Sequence, residues 1–151
     1  MRFMPITVIG ITTASGCTNP VTIEDELVGS WAVHETLRPR GSMDRVLAFD
    51  TDGRFTFTVN TYGVYENTDA LSAYEKLRGH YAVEGNRLVL ELRSNETWDS
   101  FYKNSTPSTS AITGTFFDDC TFSISGNELR LRYTSYPADA PLPTELLLRR
   151  R

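Results

Sequence analysis

The chain has 151 residues, 40% of them hydrophobic and 23% charged, with a formal net charge of −4. That length suits one domain around one core rather than several. Mild acidity without a basic cluster argues against a nucleic-acid partner and against a polybasic membrane patch.

The first predicted element is an export signal. Arg2 supplies a positive start, Ile6, Val8, Ile9 and Ile11 a short apolar run, and Ala14, Ser15 and Gly16 a small-residue ending before Cys17. This order is that of a secretory signal, and the run is too short to cross a bilayer as a helix. Ala14-Ser15-Gly16-Cys17 resembles a bacterial lipobox, in which the cysteine is acylated and becomes the new N-terminus, although that family prefers Leu where Ala14 stands. The resemblance implies a signal peptide over 1–16, a tether over 17–24, palmitate-type lipidation at Cys17 and the lipid bilayer as a partner. Thr18 after the cysteine, where sorted lipoproteins retained inside carry Asp, implies a cell-envelope place on the outer membrane, facing the periplasm, in a two-membrane host. Two other readings stay open: an ordinary first strand with Cys17 paired to Cys120, and cleavage without lipidation. Removing sixteen residues leaves 135, with a folded domain over 25–151.

Leu27-Val28-Gly29-Ser30-Trp31 reads as an opening strand. From Arg45 onward one device repeats, an alternating strand, a Gly-containing turn and a second alternating strand. Thr51-Asp52-Gly53 leads into Phe55, Phe57 and Val59, which alternate with Thr56, Thr58 and Asn60, so the apolar set shares one face. Tyr81 and Val83 precede Gly85-Asn86, with Leu88, Leu90 and Leu92 after it. Phe122 and Ile124 precede Gly126-Asn127, with Leu129, Leu131 and Tyr133 after it, 41 residues further on and in register. Thr56, Arg87, Ser123 and Arg130 are expected on the outer face.

Residues 68–78 read as one short helix, with Leu71, Tyr74 and Leu77 on a face, Ser72 and Glu75 as a capping box and Gly79 beyond its end. Lys103 to Ser110 is a Ser/Thr/Pro segment too polar to fold alone. Tyr136 to Pro143 carries three prolines before a last strand, Glu145 to Arg149. The expected class is all-β, an antiparallel up-and-down β-barrel of about eight to ten strands with one short helix, because closure removes exposed edges. A two-sheet β-sandwich is the alternative.

Gly29-Ser30-Trp31, ahead of these hairpins, resembles the Gly-x-Trp opening of lipocalin-like domains in the compact form of bacterial envelope lipoproteins. Phe49-Asp50-Thr51-Asp52-Gly53-Arg54-Phe55 and Gly79-His80-Tyr81-Ala82-Val83 look like phrases of the same small barrels. The likeness spans about residues 25 to 151 and implies that Trp31 plugs one end, that Gly29 permits a close approach there, and that one of Arg149, Arg150 and Arg151 lies over the indole.

No catalytic constellation emerges, and the chain is read as a non-enzyme without cofactor or metal. His34 and His80 lie on different strands, Asp50-x-Asp52-Gly53 is a hairpin turn rather than a calcium loop, and Asp118 and Asp119, as strand neighbours, point to opposite faces. Cys120, with no His nearby, behaves as a small apolar residue. Tyr62 and Tyr65, together with Trp98, Phe101 and Tyr102, are the candidate ligand-binding residues, since aromatics with polar tips suit a wet barrel mouth. They are expected where the Tyr62–Tyr65 segment, the short helix and the Lys103–Ser110 loop converge, opposite Trp31.

Two functions are weighed. One is a membrane-tethered lipocalin-like lipoprotein that binds a small hydrophobic ligand. The alternative is a protein-interaction module, an inhibitor or assembly factor, with a solid barrel. An open apolar cavity favours the first; a filled interior with an exposed apolar patch favours the second. Expressed with its leader in a bacterium, the protein is expected to take up labelled palmitate and partition into detergent. Cys17→Ser is expected to abolish both, and a soluble, unlabelled mature protein would contradict lipidation.

Overall fold

The computed structural model describes residues 22–65, 69–102, 104–137 and 140–151. The predicted signal, Cys17 and most of the tether lie outside the described residues. A short helix, α1 (Ile23–Leu27), leads into β1 (Gly29–Thr36), β2 (Ser42–Phe49), β3 (Arg54–Tyr62), β4 (Leu71–Glu84) and β5 (Arg87–Asp99). Then follow β6 (Ser108–Ala111), β7 (Thr115–Phe116), β8 (Asp118–Ser125), β9 (Glu128–Ser135) and β10 (Leu142–Arg150).

Every strand pairing is antiparallel, and the sheet closes into an eight-strand barrel. Neighbours in sequence pair from β1 through β5, β8 pairs with β9 and β9 with β10, and β10 returns to β1 at Trp31–Arg150 and Ala32–Arg149. The eighth barrel position is shared. Along the far edge of β5, Ser94 faces Ala111, Glu91 faces Thr115 and Arg87 faces Thr121, so β6, β7 and β8 form one interrupted strand. The interruptions coincide with positive φ at Gly114 (130°), Phe117 (61°) and Asp119 (52°). Continuous pairing around the ring rules out the two-sheet sandwich. The bend at Asp119 also ends the strict alternation expected for Asp118 and Asp119, both of which are exposed.

The helix expected over 68–78 is not formed. Residue 68 lies outside the described residues, and Leu71–Glu84 is a single fourteen-residue strand. A helix there would leave the facing edges of β3 and β5 unpaired; as a strand, β4 satisfies both. Ser72 caps nothing. It sits where the β3–β4 register shifts, and its buried hydroxyl accepts from Val64 N at 3.0 Å. Among the described residues the one helix stands earlier, where Thr22 and Asp25 form the reciprocal capping box that was expected of Ser72 and Glu75.

The alternating apolar residues meet in one core. Phe55, Phe57, Leu88, Leu90, Phe122, Leu129 and Leu131 are buried together, and Ile124 packs against them half-buried. Arg87 and Ser123 are exposed on the other face, where Thr56 and Arg130 are half-covered. Gly79 is required by proximity rather than φ. A Cβ there would stand 1.9 Å from the Glu91 carbonyl oxygen and 2.8 Å from the Phe55 ring.

Trp31 closes one end, fully buried beside Leu27. Its Nε1 donates to the Leu27 carbonyl at 2.8 Å, so α1 is latched onto the barrel floor. Arg150 is the arginine that covers the indole, with its guanidinium carbon 4.2 Å from the ring centroid. The same guanidinium donates to the carbonyls of Val28, at 3.1 Å, and Glu26. Gly29, at φ 128°, has its open side toward this guanidinium, 3.1 Å from where a Cβ would stand.

Arg150→Ala is expected to cost about 1–3 kcal/mol in urea unfolding, from the lost cation–π contact and charged hydrogen bonds. The exposed Arg149→Ala is expected to stay within about 0.5 kcal/mol. Leu129→Ala, in the filled core, is expected to cost about 2–5 kcal/mol.

Candidate functional site

The end of the barrel opposite Trp31 holds the expected aromatic residues, but in a different arrangement. With a register shift at Arg78/Gly79, β5 turns Asn95, Thr97 and Asp99 toward the same side as Leu77, Glu75 and Ala73 of β4, their cross-strand partners. Tyr74 and Trp98 face each other on the alternate side, stacked with centroids 6.0 Å apart. The mouth is therefore polar inside its wall and aromatic along its edge.

The loop after β5 is strapped by Asp99. Its Oδ1 accepts from Phe101 N at 2.8 Å, the i to i+2 pattern by which Asp builds turns, and its Oδ2 accepts from the Tyr65 hydroxyl at 3.1 Å. Its carbonyl accepts from Ser105 Oγ at 2.5 Å, while Trp98 Nε1 donates to the Ser105 carbonyl at 3.1 Å. Burial and the Asp99 hydrogen bond push the Tyr65 hydroxyl pKa up, so it stays a donor. Tyr74 donates to Glu96 at 2.8 Å; that bond and one from Arg78 hold the Glu96 carboxyl below its ordinary pKa.

Between these parts lies an open cleft of about 590 Å³, lined among others by Val59, Tyr74, Glu75, Trp98, Asp99 and Tyr102. Trp98 and Tyr102 thus line it. Tyr65 and Phe101 stand beside it in a chain of ring contacts, Tyr65–Phe101 and Phe101–Tyr102, each at 5.4 Å. Among the described residues Phe101 and Tyr102 are the most exposed of the large apolar side chains, at 67% and 66%. Tyr62 is set apart, half-buried between Ser42 and Leu71. The Lys103–Ser110 segment does border the cleft, through Ser105, Thr106 and Ser108, and its end pairs to β5 as β6. Lys103 itself lies outside the described residues.

Below the mouth the barrel axis is occupied. Phe116, Phe117 and Tyr133 stack at 4.0 and 4.1 Å, with Phe57 against both phenylalanines. Above this layer Glu35 and Arg45 pair at 2.8 Å, and Asn95 Nδ2 donates to Glu75 Oε1 at 3.0 Å. Asn95 Oδ1 is buried without a partner.

Tyr74, Glu75 and Asp99 were missed as site residues. Reading 68–78 as a helix placed Tyr74 and Glu75 on a spiral, and only the β4–β5 register brings them opposite Trp98 and Thr97. The usable signal was the alternation Ala73, Glu75, Leu77, Gly79, which runs straight into Tyr81 and Val83.

The other candidate groups for chemistry stand apart from one another. His34 is exposed and its Nδ1 contacts Asp44 at 2.7 Å, while His80 is exposed on β4. Cys120 is a free, buried thiol, and burial pushes its pKa up to about 12. The fold is an antiparallel β-barrel compatible with a lipocalin-like fold. Comparison with protein-family models, curated proteins and solved structures finds no match.

With a pKa near 12, the thiolate fraction of Cys120 at pH 8 is only about 10⁻⁴. A thiol-reactive disulfide reagent at pH 8 is expected to leave Cys120 of the Cys17→Ser protein unmodified until denaturant is added. Rapid labelling of the folded protein would contradict this burial.

Proposed function

We propose that the protein is a lipid-tethered, non-enzymatic binding module of a bacterial cell envelope, whose solid barrel supports a recognition surface on its rim. The observation that carries this reading is the aromatic layer of Phe57, Phe116, Phe117 and Tyr133 across the barrel axis. With that layer above and Trp31 below, the apolar interior is spent on packing. The exposed Tyr65, Phe101 and Tyr102 then supply the residue types that anchor protein interfaces. The lipid anchor and the envelope location rest on the lipobox resemblance. The non-enzymatic reading rests on separated histidines and a thiol held protonated by burial.

The carrier of a small hydrophobic ligand is the second reading. What favours it is the rim cleft, whose volume of about 590 Å³ falls in the range of small-molecule sites. Such a ligand would sit on the rim, not in the axis.

Site-directed photo-crosslinking separates the two. With p-benzoylphenylalanine in place of Phe101, the protein in its native host is expected to give a discrete protein adduct. The same group in place of Arg87, at the opposite end, is expected to give none. An apolar fluorescent probe is expected not to bind the delipidated domain saturably. Stoichiometric probe binding with no adduct from position 101 would replace the interaction module by the carrier.

A further inference from the structure

The rim cleft has a polarity of its own. Its aromatic donors are already committed within the fold: Trp98 Nε1 to Ser105, Tyr74 to Glu96, and the adjoining Tyr65 to Asp99. Ser105 Oγ is likewise spent on the Asp99 carbonyl. The charged side chains lining the cleft are Glu75 and Asp99, and among the described residues that line it there is no Lys, Arg or His. Beneath Glu75, Asn95 Nδ2 donates upward and leaves a buried, unpartnered acceptor, Oδ1. Glu75 Oε1 and both Asp99 oxygens each accept one bond within the fold, which leaves Glu75 Oε2 and the remaining carboxylate lone pairs on offer. Lys76 Nζ already lies 5.5 Å from the Tyr74 ring centroid, so the ring faces on offer are those of Trp98 and Tyr102. Carboxylate and ring together attract a cation with an apolar body. An anion would meet two carboxylates. A wholly apolar ligand would strip water from them without replacing it.

We propose, building on the reading of the rim as the binding surface, that the cleft receives an arginine or lysine side chain of a partner polypeptide. The charged head would lie at Glu75 and Asp99 and the stem along Trp98 and Tyr102. A polypeptide source follows from what flanks the cleft. Phe101 and Tyr102, 67% and 66% exposed, extend the aromatic surface beyond the space one small cation fills. Flanking residues of a partner chain would cover that surface and shield the ion pair from water. Arginine suits the site better than lysine, because a planar guanidinium both stacks on rings and accepts bidentate pairing with a carboxylate.

The test uses the Cys17→Ser protein and four probes in NMR titrations: acetyl-Ala-Ala-Arg-Ala-Ala-amide, the same peptide with citrulline, the same peptide with Glu, and N-butylguanidinium. The Arg peptide is expected to bind saturably, with shifts confined to residues near Ala73–Glu75 and Thr97–Tyr102, and to weaken about tenfold between 20 and 500 mM NaCl. Citrulline, which keeps the shape and loses the charge, and Glu are expected not to bind. Glu75→Gln, which keeps an acceptor for Asn95, and the exposed Tyr102→Ala are each expected to weaken the Arg peptide about fivefold or more.

Equal binding of the citrulline peptide, or an unchanged affinity in Glu75→Gln, would overturn the cation. N-butylguanidinium binding as tightly as the Arg peptide would overturn the polypeptide source. Absence of saturable binding by any probe would overturn the site. If the adduct from position 101 persisted through that failure, the interaction module would stand with different chemistry at its rim. If the adduct were missing as well, both readings would fall.

Discussion

Arg150 lies over the indole of Trp31 and at the same time donates to the carbonyls of Glu26 and Val28. The rest of the structure depends on this contact because it joins the two ends of the described chain. The direct register between β1 and β10 is short, Trp31–Arg150 and Ala32–Arg149, extended by Arg151 N to the Ser30 carbonyl at 2.9 Å. A barrel whose first and last strands share so few backbone bonds needs side chains to hold the seam. The guanidinium suits the place, since it is planar enough to stack and rich enough in donors to satisfy the terminal carbonyls of α1.

Closing the floor in this way has a consequence for the interior. Leu27, Trp31, Leu47, Phe49, Leu88, Leu129, Leu131 and Leu148 fill the lower barrel almost without exposure, and the Phe57–Phe116–Phe117–Tyr133 layer continues that filling upward. A domain this small stabilises itself largely through such burial. At the upper rim the strands end and Asp99 organises the loop. There the barrel trades apolar packing for the pairs Glu35–Arg45 and Glu75–Asn95 and for surface aromatics. The lower end is apolar and closed, and the upper end is polar with exposed aromatic side chains.

Period-two alternation around Gly53, Gly85 and Gly126 specifies three hairpins and their inward faces, because side chains in a strand alternate without exception unless a bulge intervenes. Trp31 as a plug was legible for another reason, because the Gly29-Ser30-Trp31 likeness to lipocalin-like openings implies it. The choice among three terminal arginines was not legible, since it turns on the register of β10 against β1. Residues 68–78 were misread because their apolar residues fit spacings of three as well as two. Over a window that short, pairing with both β3 and β5 outweighs the local preference.

The sequence by itself therefore determined the strand grammar and the core residues, which follow from local periodicity and side-chain size, while the Trp31 plug came from the Gly-x-Trp likeness. Only the tertiary structure decided that Phe57, Phe116, Phe117 and Tyr133 meet inside the barrel and that the cleft is lined by Tyr74, Glu75, Trp98, Asp99 and Tyr102. Those outcomes depend on bulges at Ser72, Arg93 and Asp119. A bulge inserts one residue and reverses which face every later side chain takes, and sequence alternation alone does not reveal where that reversal falls.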